Sequence, residues 1–160
     1  MEGIVQNTEF GCGPACVAML CGISLEEAFD AFEQRDWDVH GATENELSAA
    51  FSSFGFILGQ ASDIPDERGA LFNRRENLLL WGPILNRHKA VNWKERSQRA
   101  EFRFDTPKVR SFHFNKESVD IAIETFDHWA VWDGSARALR DPYGYQCMFV
   151  PVYAHLILQP

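Results

Sequence analysis

Apolar side chains recur at helical spacing in three short stretches of the first sixty residues, separated by glycine and polar residues. The first stretch predicts a helix over about 13–20, because Pro14 suits a first turn and Gly22 suits the position after the last turn. The other two stretches each begin with a capping box, which predicts a helix start. The capping pairs are Ser24 with Glu27 and Thr43 with Glu46.

Alternation of apolar and polar residues replaces this pattern further along the chain. The segment "GFILGQ", residues 55–60, predicts a short buried strand after the third helix. The segment "HWAVWDGSARALRDPYG" predicts two strands joined by a turn at Asp133-Gly134, and "MFVPVYAHLIL" predicts a closing strand broken by Pro151. Three alternating groups precede this hairpin: Phe102/Phe104, Phe112/Phe114 and Val119/Ile121/Ile123.

The middle of the chain has no firm period. "NLLLWGPIL" is too short for a long helix and is interrupted by Gly82-Pro83, and "RHKAVNWKERSQRAEF" mixes basic and aromatic residues. Helices first and antiparallel strands second predict an α+β fold of two layers, with the N-terminal helices packed on a C-terminal sheet. We expect a single domain over 1–160, with a helical lobe over 1–60, a basic insert over 61–107 and a β-rich lobe over 108–160.

Composition supports an ordered domain without a membrane segment. The 160 residues are 46% hydrophobic and 13% aromatic, so the chain can bury a core and is not disordered. No stretch approaches the roughly 18 apolar residues of a membrane span. The start "MEGIVQNTEF" lacks the basic and apolar regions of a secretory signal. These features predict a cytoplasmic protein, with export by a route that needs no such signal left open.

Charge is distributed in three blocks. Residues 1–67 hold 13 acidic residues and one basic residue, whereas 68–116 hold 12 of the 15 basic residues. Residues 117–160 are acidic again. The basic block has three interpretations: it neutralises the acidic helices, it binds an acidic protein partner, or it binds nucleic acid. No recognised nucleic-acid-binding motif supports the third interpretation, so it is the least favoured.

Cysteine spacing predicts free thiols. Cys12 and Cys16 lie one helical turn apart, a geometry that rarely permits a disulfide. A lone CxxxC pair without a histidine-rich partner is also a poor zinc signature, so no metal is expected. Cys16 and Cys21 are best explained as small buried residues. The fourth cysteine is Cys147.

Cys12 has the surroundings of a nucleophile. It lies where the first helix begins, and the positive end of a helix dipole favours the thiolate. Gly11 and Gly13 are expected to leave its sulfur open to a substrate in a surface-accessible cleft. Gln6 lies a short loop upstream, where its amide could donate, beside the Cys12 N–H, to the oxygen that becomes negative during acyl transfer.

His128 and Asp141 lie on the two strands of the predicted hairpin. The turn returns Asp141 to the level of His128, where a carboxylate would fix the ring tautomer and direct the other nitrogen toward a thiol. This geometry requires the sheet face that carries His128 to meet the N-terminus of the first helix. Each residue also has a structural explanation, as a core histidine and as the start of a turn. The other histidines lack comparable neighbours: His40, His88, His113 and His155.

The spacing of these residues resembles that of a known family. Gln-x5-Cys-Gly-Pro-Ala-Cys, followed late by His-x12-Asp-Pro, resembles the papain-like cysteine peptidases. Within them it is most similar to the bacteriocin-processing (double-glycine leader) peptidases and their stand-alone relatives. The resemblance implies Cys12 as nucleophile, His128 as general base, Asp141 as its orienter and Gln6 as oxyanion donor. It extends over about residues 6–22, 41–60 and 126–145.

The resulting hypothesis is hydrolysis or transfer at an amide or thioester carbonyl of a peptide or protein, through an acyl-Cys12 intermediate and without a cofactor. A glutamine deamidase or an acyltransferase on the same fold is the first alternative, because a triad does not specify the acceptor. The second is a catalytically silent adaptor or inhibitor that binds an acidic partner through residues 68–116. The presence of all four site residues favours an enzyme over the adaptor.

Overall fold

The computed structural model describes residues 1–8, 11–32, 41–64, 71–85, 126–143, 148–149 and 151–160. The alternating groups predicted over 102–123, and Cys147, lie outside these residues. The described helices are α1 Cys12–Cys21, α2 Leu25–Asp30 and α3 Glu44–Ser53, with a short 3-10 helix at Leu71–Asn73. The described strands are β1 Ile57–Asp63, β2 Leu78–Leu85, β3 Phe126–Asp133, β4 Ala138–Arg140, β5 Met148–Phe149 and β6 Tyr153–Leu158.

All three predicted helices are confirmed, and their ends follow from local chemistry. In both capping boxes, Ser24–Glu27 and Thr43–Glu46, the hydroxyl accepts from the N3 backbone N–H while the carboxylate accepts from the N-cap N–H. Helix α1 ends where Gly22 adopts a left-handed conformation, with φ of 69°. No helix in the described residues is both long and apolar enough to cross a membrane.

The strands form one antiparallel sheet against which the helices pack, which confirms the α+β prediction. The strand order is β1-β6-β2-β3-β4, and the two-residue β5 pairs with the end of β2. The hairpin of β3 and β4 and the interrupted closing strand are also as predicted. Helix α1 contacts β3 and both other helices, so it occupies the centre of the helical layer.

Strand β2 is the element that sequence patterning missed. It runs through Gly82-Pro83 and lies between β3 and β6, with Pro83 in register with Asp127 of β3. Leu78, Leu79 and Leu80 are buried on both faces of the sheet, which is why they form a continuous apolar run without alternation. The described part of residues 61–107 therefore supplies a central strand of the sheet.

Strand β1 exists as predicted, but the prediction that it is buried is wrong. In the described residues it pairs with β6 at the edge of the sheet, and Ile57 is 51% exposed. An edge strand has a neighbour on one side only, so its short apolar run does not enter the core. The register also shifts between Leu58 and Ala61, as in a β-bulge.

Two apolar clusters cover the two faces of the sheet. Helix α1 packs on the face that carries Leu79, Trp129 and Val131. The opposite face carries Leu78, Leu80, Ala130, Trp132 and Phe149. Because side chains alternate along a strand, His128 belongs to this second face. The face that carries His128 therefore lies opposite the body of α1. It meets the N-terminus of the helix, as expected, because Cys12, the first helical residue, acts on His128.

Candidate active site

The candidate nucleophile Cys12 is the first residue of α1, and Gly11 is its N-cap. Its predicted position in a surface-accessible cleft is wrong, because Cys12 is only 6% exposed. The flanking glycines permit close packing instead of open access. A Cβ at Gly11 would lie 2.8 Å from Thr8 Oγ1, and one at Gly13 would collide with the Cβ of Ala42.

His128 and Asp141 are directly bonded, as expected from the hairpin. The His128 Nε2 and Asp141 Oδ1 atoms lie 2.7 Å apart, and both side chains are about 2% exposed. The Cys12 side chain lies close enough to the ring to raise the pKa of His128 by hydrogen bonding and by charge. Since Nε2 faces the carboxylate, Nδ1 is the nitrogen that remains for the sulfur. The structure thus brings Cys12, His128 and Asp141 into one buried row.

Two aromatic rings enclose the imidazole. The ring centroids of Tyr143 and Phe149 lie 6.0 and 5.3 Å from that of His128, both nearly perpendicular to it. The Tyr143 backbone N–H also donates to Asp141 Oδ1 at 2.8 Å, so the same carboxylate oxygen receives two bonds. On β2, the residue in register with His128 is Gly82, which adds no side chain beside the ring. These contacts restrict the imidazole to one orientation.

The charge state of His128 follows from its neighbours. Burial alone would lower the pKa of His128, but the charge and hydrogen bond of Asp141, followed by those of Cys12, raise it to about 9. At neutral pH the ring is therefore an imidazolium. A cation beside a thiol favours the thiolate, which is the reactive form of cysteine. The row therefore places the sulfur of Cys12 beside a cationic ring.

Gln6 lies beside this row and does not face solvent. It is 1% exposed, and its backbone N–H donates to the Pro142 carbonyl at 2.9 Å. Its Nε2 donates to the Thr8 carbonyl at 2.8 Å, which engages one of the two N–H bonds of the amide. A Cβ at Gly11 would lie 3.4 Å from Gln6 Cβ, so Gln6 contacts the residue that precedes Cys12.

The remaining described thiols and histidine have structural environments. Cys12, Cys16 and Cys21 are free, as predicted. Burial raises the pKa of Cys16 well above its usual value, with smaller contributions from the charges of Cys12 and Asp141. Burial also raises the pKa of Cys21 to about 12. His155 is buried and its Nδ1 donates to the Gly59 carbonyl at 2.9 Å. No group of three or more metal-ligating side chains occurs in the described residues.

Sequence analysis missed three residues that complete the site. Pro142 and Tyr143 lie in "DPYG", where only the aspartate was assigned a function, although the turn itself was visible. Phe149 carried no signal, because its place beside His128 depends on the pairing of β5 with β2. His40, His88 and His113 lie outside the part of the chain that the structure describes.

Comparison with known proteins finds no counterpart for this chain. No protein family, curated protein or solved structure matches it. The resemblance to papain-like peptidases therefore remains a prediction, supported by the spacing of residues in the sequence and by the geometry of the site.

Proposed function

We propose that this protein is a papain-like cysteine peptidase, or a related hydrolase of amides or thioesters, that acts through an acyl-Cys12 intermediate. The observation that carries the proposal is the buried row in which His128 Nε2 lies 2.7 Å from Asp141 Oδ1 and the Cys12 side chain acts on the same ring. A nucleophile, a base and an orienting group in hydrogen-bonded sequence are the requirements for covalent acyl transfer.

The first half of the reaction forms a thioester. The Cys12 thiolate attacks the carbonyl carbon of the substrate, and the carbonyl electron pair moves to oxygen. Donation from the Gln6 amide and the Cys12 N–H stabilises this oxyanion. As the intermediate collapses, the bond from carbon to the leaving nitrogen or sulfur breaks and the His128 imidazolium gives its proton to the leaving atom. Asp141 keeps the ring oriented throughout.

The second half releases the product. Neutral His128 takes a proton from water, and the hydroxide oxygen attacks the thioester carbon. The carbon–sulfur bond then breaks, which yields a carboxylic acid and restores the thiolate–imidazolium pair. Every proton in this cycle is held by the chain, the water or the leaving group. The cycle requires no metal or organic cofactor.

A small acyl donor tests the proposal, because Cys12 is nearly buried and a bulky probe would confuse access with reactivity. With p-nitrophenyl acetate we expect a burst of p-nitrophenol equal to the enzyme concentration and an acetyl group on the Cys12 peptide by mass spectrometry. Cys12→Ala should abolish both signals, and Cys16→Ala should retain them. A burst that persists in Cys12→Ala would refute the assignment.

The alternatives differ in later steps or in the absence of any reaction. A deamidase or an acyltransferase would form the same acetyl-Cys12, so a peptide library and a panel of amine acceptors are needed to identify the second substrate. A silent adaptor would give no burst with any donor. Absence of the burst in a wild-type protein whose far-ultraviolet circular dichroism shows that it is folded would favour the adaptor.

A further inference from the structure

One three-residue turn touches both halves of the proposed catalytic machinery. The turn is Asp141–Tyr143, which follows β4 and is buried along its length. Its first residue bonds His128, and its second bonds the backbone of Gln6. The residues that carry the imidazole and the amide lie 122 positions apart in sequence, and this turn is bonded to both.

On the His128 side, the turn fixes the base twice. Asp141 Oδ1 receives both the imidazole Nε2 and the Tyr143 backbone N–H, so the carboxylate cannot rotate without losing a bond. The Tyr143 ring packs edge-on against the imidazole. A displacement of the turn would therefore move the carboxylate and the ring that hold His128.

On the Gln6 side, the bond is between backbones. The Pro142 carbonyl accepts a hydrogen bond from the Gln6 N–H at 2.9 Å, and this bond fixes the distance between the loop over 6–8 and the turn. From there the side chain of Gln6 bonds Thr8 and its Cβ approaches Gly11. Pro142 is well suited to this role because its ring fixes φ near −65° and so limits how far the carbonyl can swing.

We propose that Pro142 is a positioning residue that holds the Gln6 amide at the distance from Cys12 and His128 that oxyanion stabilisation requires. The proposal rests on the function proposed above, since the position of the Gln6 amide affects a rate only if an oxyanion forms. Pro142 itself touches no reacting atom. Its effect is on the distance between the Gln6 amide and the Cys12 sulfur. The effect acts through a backbone hydrogen bond and involves none of the three triad side chains directly.

Two reactions of the same sulfur separate this role from general stability. Alkylation by iodoacetamide is a displacement at a saturated carbon and develops no oxyanion, so it reports the thiolate–imidazolium pair alone. Acylation by p-nitrophenyl acetate develops an oxyanion and reports the pair together with Gln6. The ratio of the acylation rate to the alkylation rate at Cys12 therefore isolates the contribution of the oxyanion donor.

The test variant is Pro142→Gly, which keeps the carbonyl and releases its backbone. We expect the ratio to fall roughly tenfold, because misplacement of a catalytic group by about 1 Å can cost up to 10²-fold. In a Gln6→Ala background the same substitution should leave the ratio unchanged, since no amide remains to be misplaced. Pro151→Gly, at a half-buried proline before β6, is the matched control and should not alter the ratio.

The outcomes are distinguishable. An unchanged ratio in folded Pro142→Gly, or an equal fall in the Gln6→Ala background, would overturn the positioning role while leaving the hydrolase intact. If Pro142→Gly does not fold, Pro142→Ala provides the same comparison with less backbone freedom. Absence of acylation at Cys12 in the wild-type protein would instead refute the proposed function, and the positioning role with it.

Discussion

The two ends of helix α1 carry cysteines in opposite circumstances. Cys12, at the N-terminal end, is 6% exposed and lies beside the imidazolium of His128. Cys21, at the C-terminal end, is partly exposed and lines a surface cleft of about 360 Å³ together with Met19 and Phe56. Access alone would favour Cys21 as the reactive thiol. Electrostatics favours Cys12.

The middle of the helix carries a third cysteine, in a different environment from the other two. Cys16 lies one turn after Cys12 and is fully buried, and burial is the largest contribution to its raised pKa. Burial likewise raises the pKa of Cys21 to about 12, and the causes include no cation. Only the helix start combines a thiol with a cationic neighbour. On this helix Cys12 has the cationic neighbour and Cys21 has the greater contact with solvent, so the relative reactivity of the two thiols tests which factor dominates.

The largest expected effect comes from removing the thiol that this comparison favours. Cys12→Ala should abolish labelling by iodoacetamide at position 12 at pH 7, while Cys16 and Cys21 stay unlabelled because burial raises the pKa of both thiols. Cys16→Ala should keep the labelling and lower the free energy of unfolding by about 1 kcal/mol, as for loss of a small buried group. Peptide-resolved mass spectrometry and urea titration measure the two effects. Faster labelling at Cys21 than at Cys12 would reverse the comparison.

The next effect comes from removing the cation itself. His128→Ala should lower the acylation rate of Cys12 by roughly 10³-fold, within the range of general acid–base catalysis. Asp141→Ala should cost less, because Tyr143 and Phe149 continue to hold the ring by packing. Stopped-flow acylation kinetics on both variants provide the measurement. A larger loss in Asp141→Ala than in His128→Ala would contradict the assigned roles.

A smaller effect comes from the oxyanion donor. Gln6→Ala should lower the acylation rate by about 10²-fold while leaving alkylation of Cys12 unchanged. Asn7→Ala is the matched control, since it removes an exposed amide from the same loop. If alkylation falls together with acylation, Gln6 supports the fold of the site and is not an oxyanion donor.

The pH dependence of the cleavage rate should report the protonation of His128. Because the pKa of His128 is raised to about 9, the proton that it donates to a leaving group is present below that pH and lost above it. The rate of peptide cleavage should therefore fall as pH rises through about 9. In Asp141→Asn this alkaline limb should move to lower pH, because the charge that raises the pKa is gone while the site stays buried. A limb that stays near pH 9 in Asp141→Asn would show that Asp141 is not its cause.

The helical part of the fold was predictable because its signals are local. A capping box determines a helix start from four consecutive residues, as Ser24–Glu27 and Thr43–Glu46 do here. The pairing of His128 with Asp141 was predictable for a related reason, since one short hairpin, with its turn over 134–137, brings the two strands side by side. Each of these inferences spans fewer than about fifteen residues of chain, so distant packing has little opportunity to override it.

The remainder depended on contacts between distant segments. Strand β2 tolerates Gly82-Pro83 because β3 and β6 flank it, and neither neighbour is visible from "NLLLWGPIL" itself. The exposure of β1 follows from its place in the strand order. Gly13 packs on Ala42, a contact that joins the start of α1 to the segment before α3. In each case the local pattern does not show which distant segment lies beside the residues in question.

The contact of Gly13 with Ala42 has a consequence for how sequences of this kind can vary. Ala42 also offers its carbonyl to the Trp129 indole N–H at 2.8 Å, so the segment before α3 is bonded to β3 and cannot retreat freely. Even a single methyl group added at position 13 would meet the Ala42 Cβ. We expect homologous chains to change these two positions together, with a larger residue at one accompanied by glycine at the other. The size of the residue at position 42 would then limit which residue can follow Cys12.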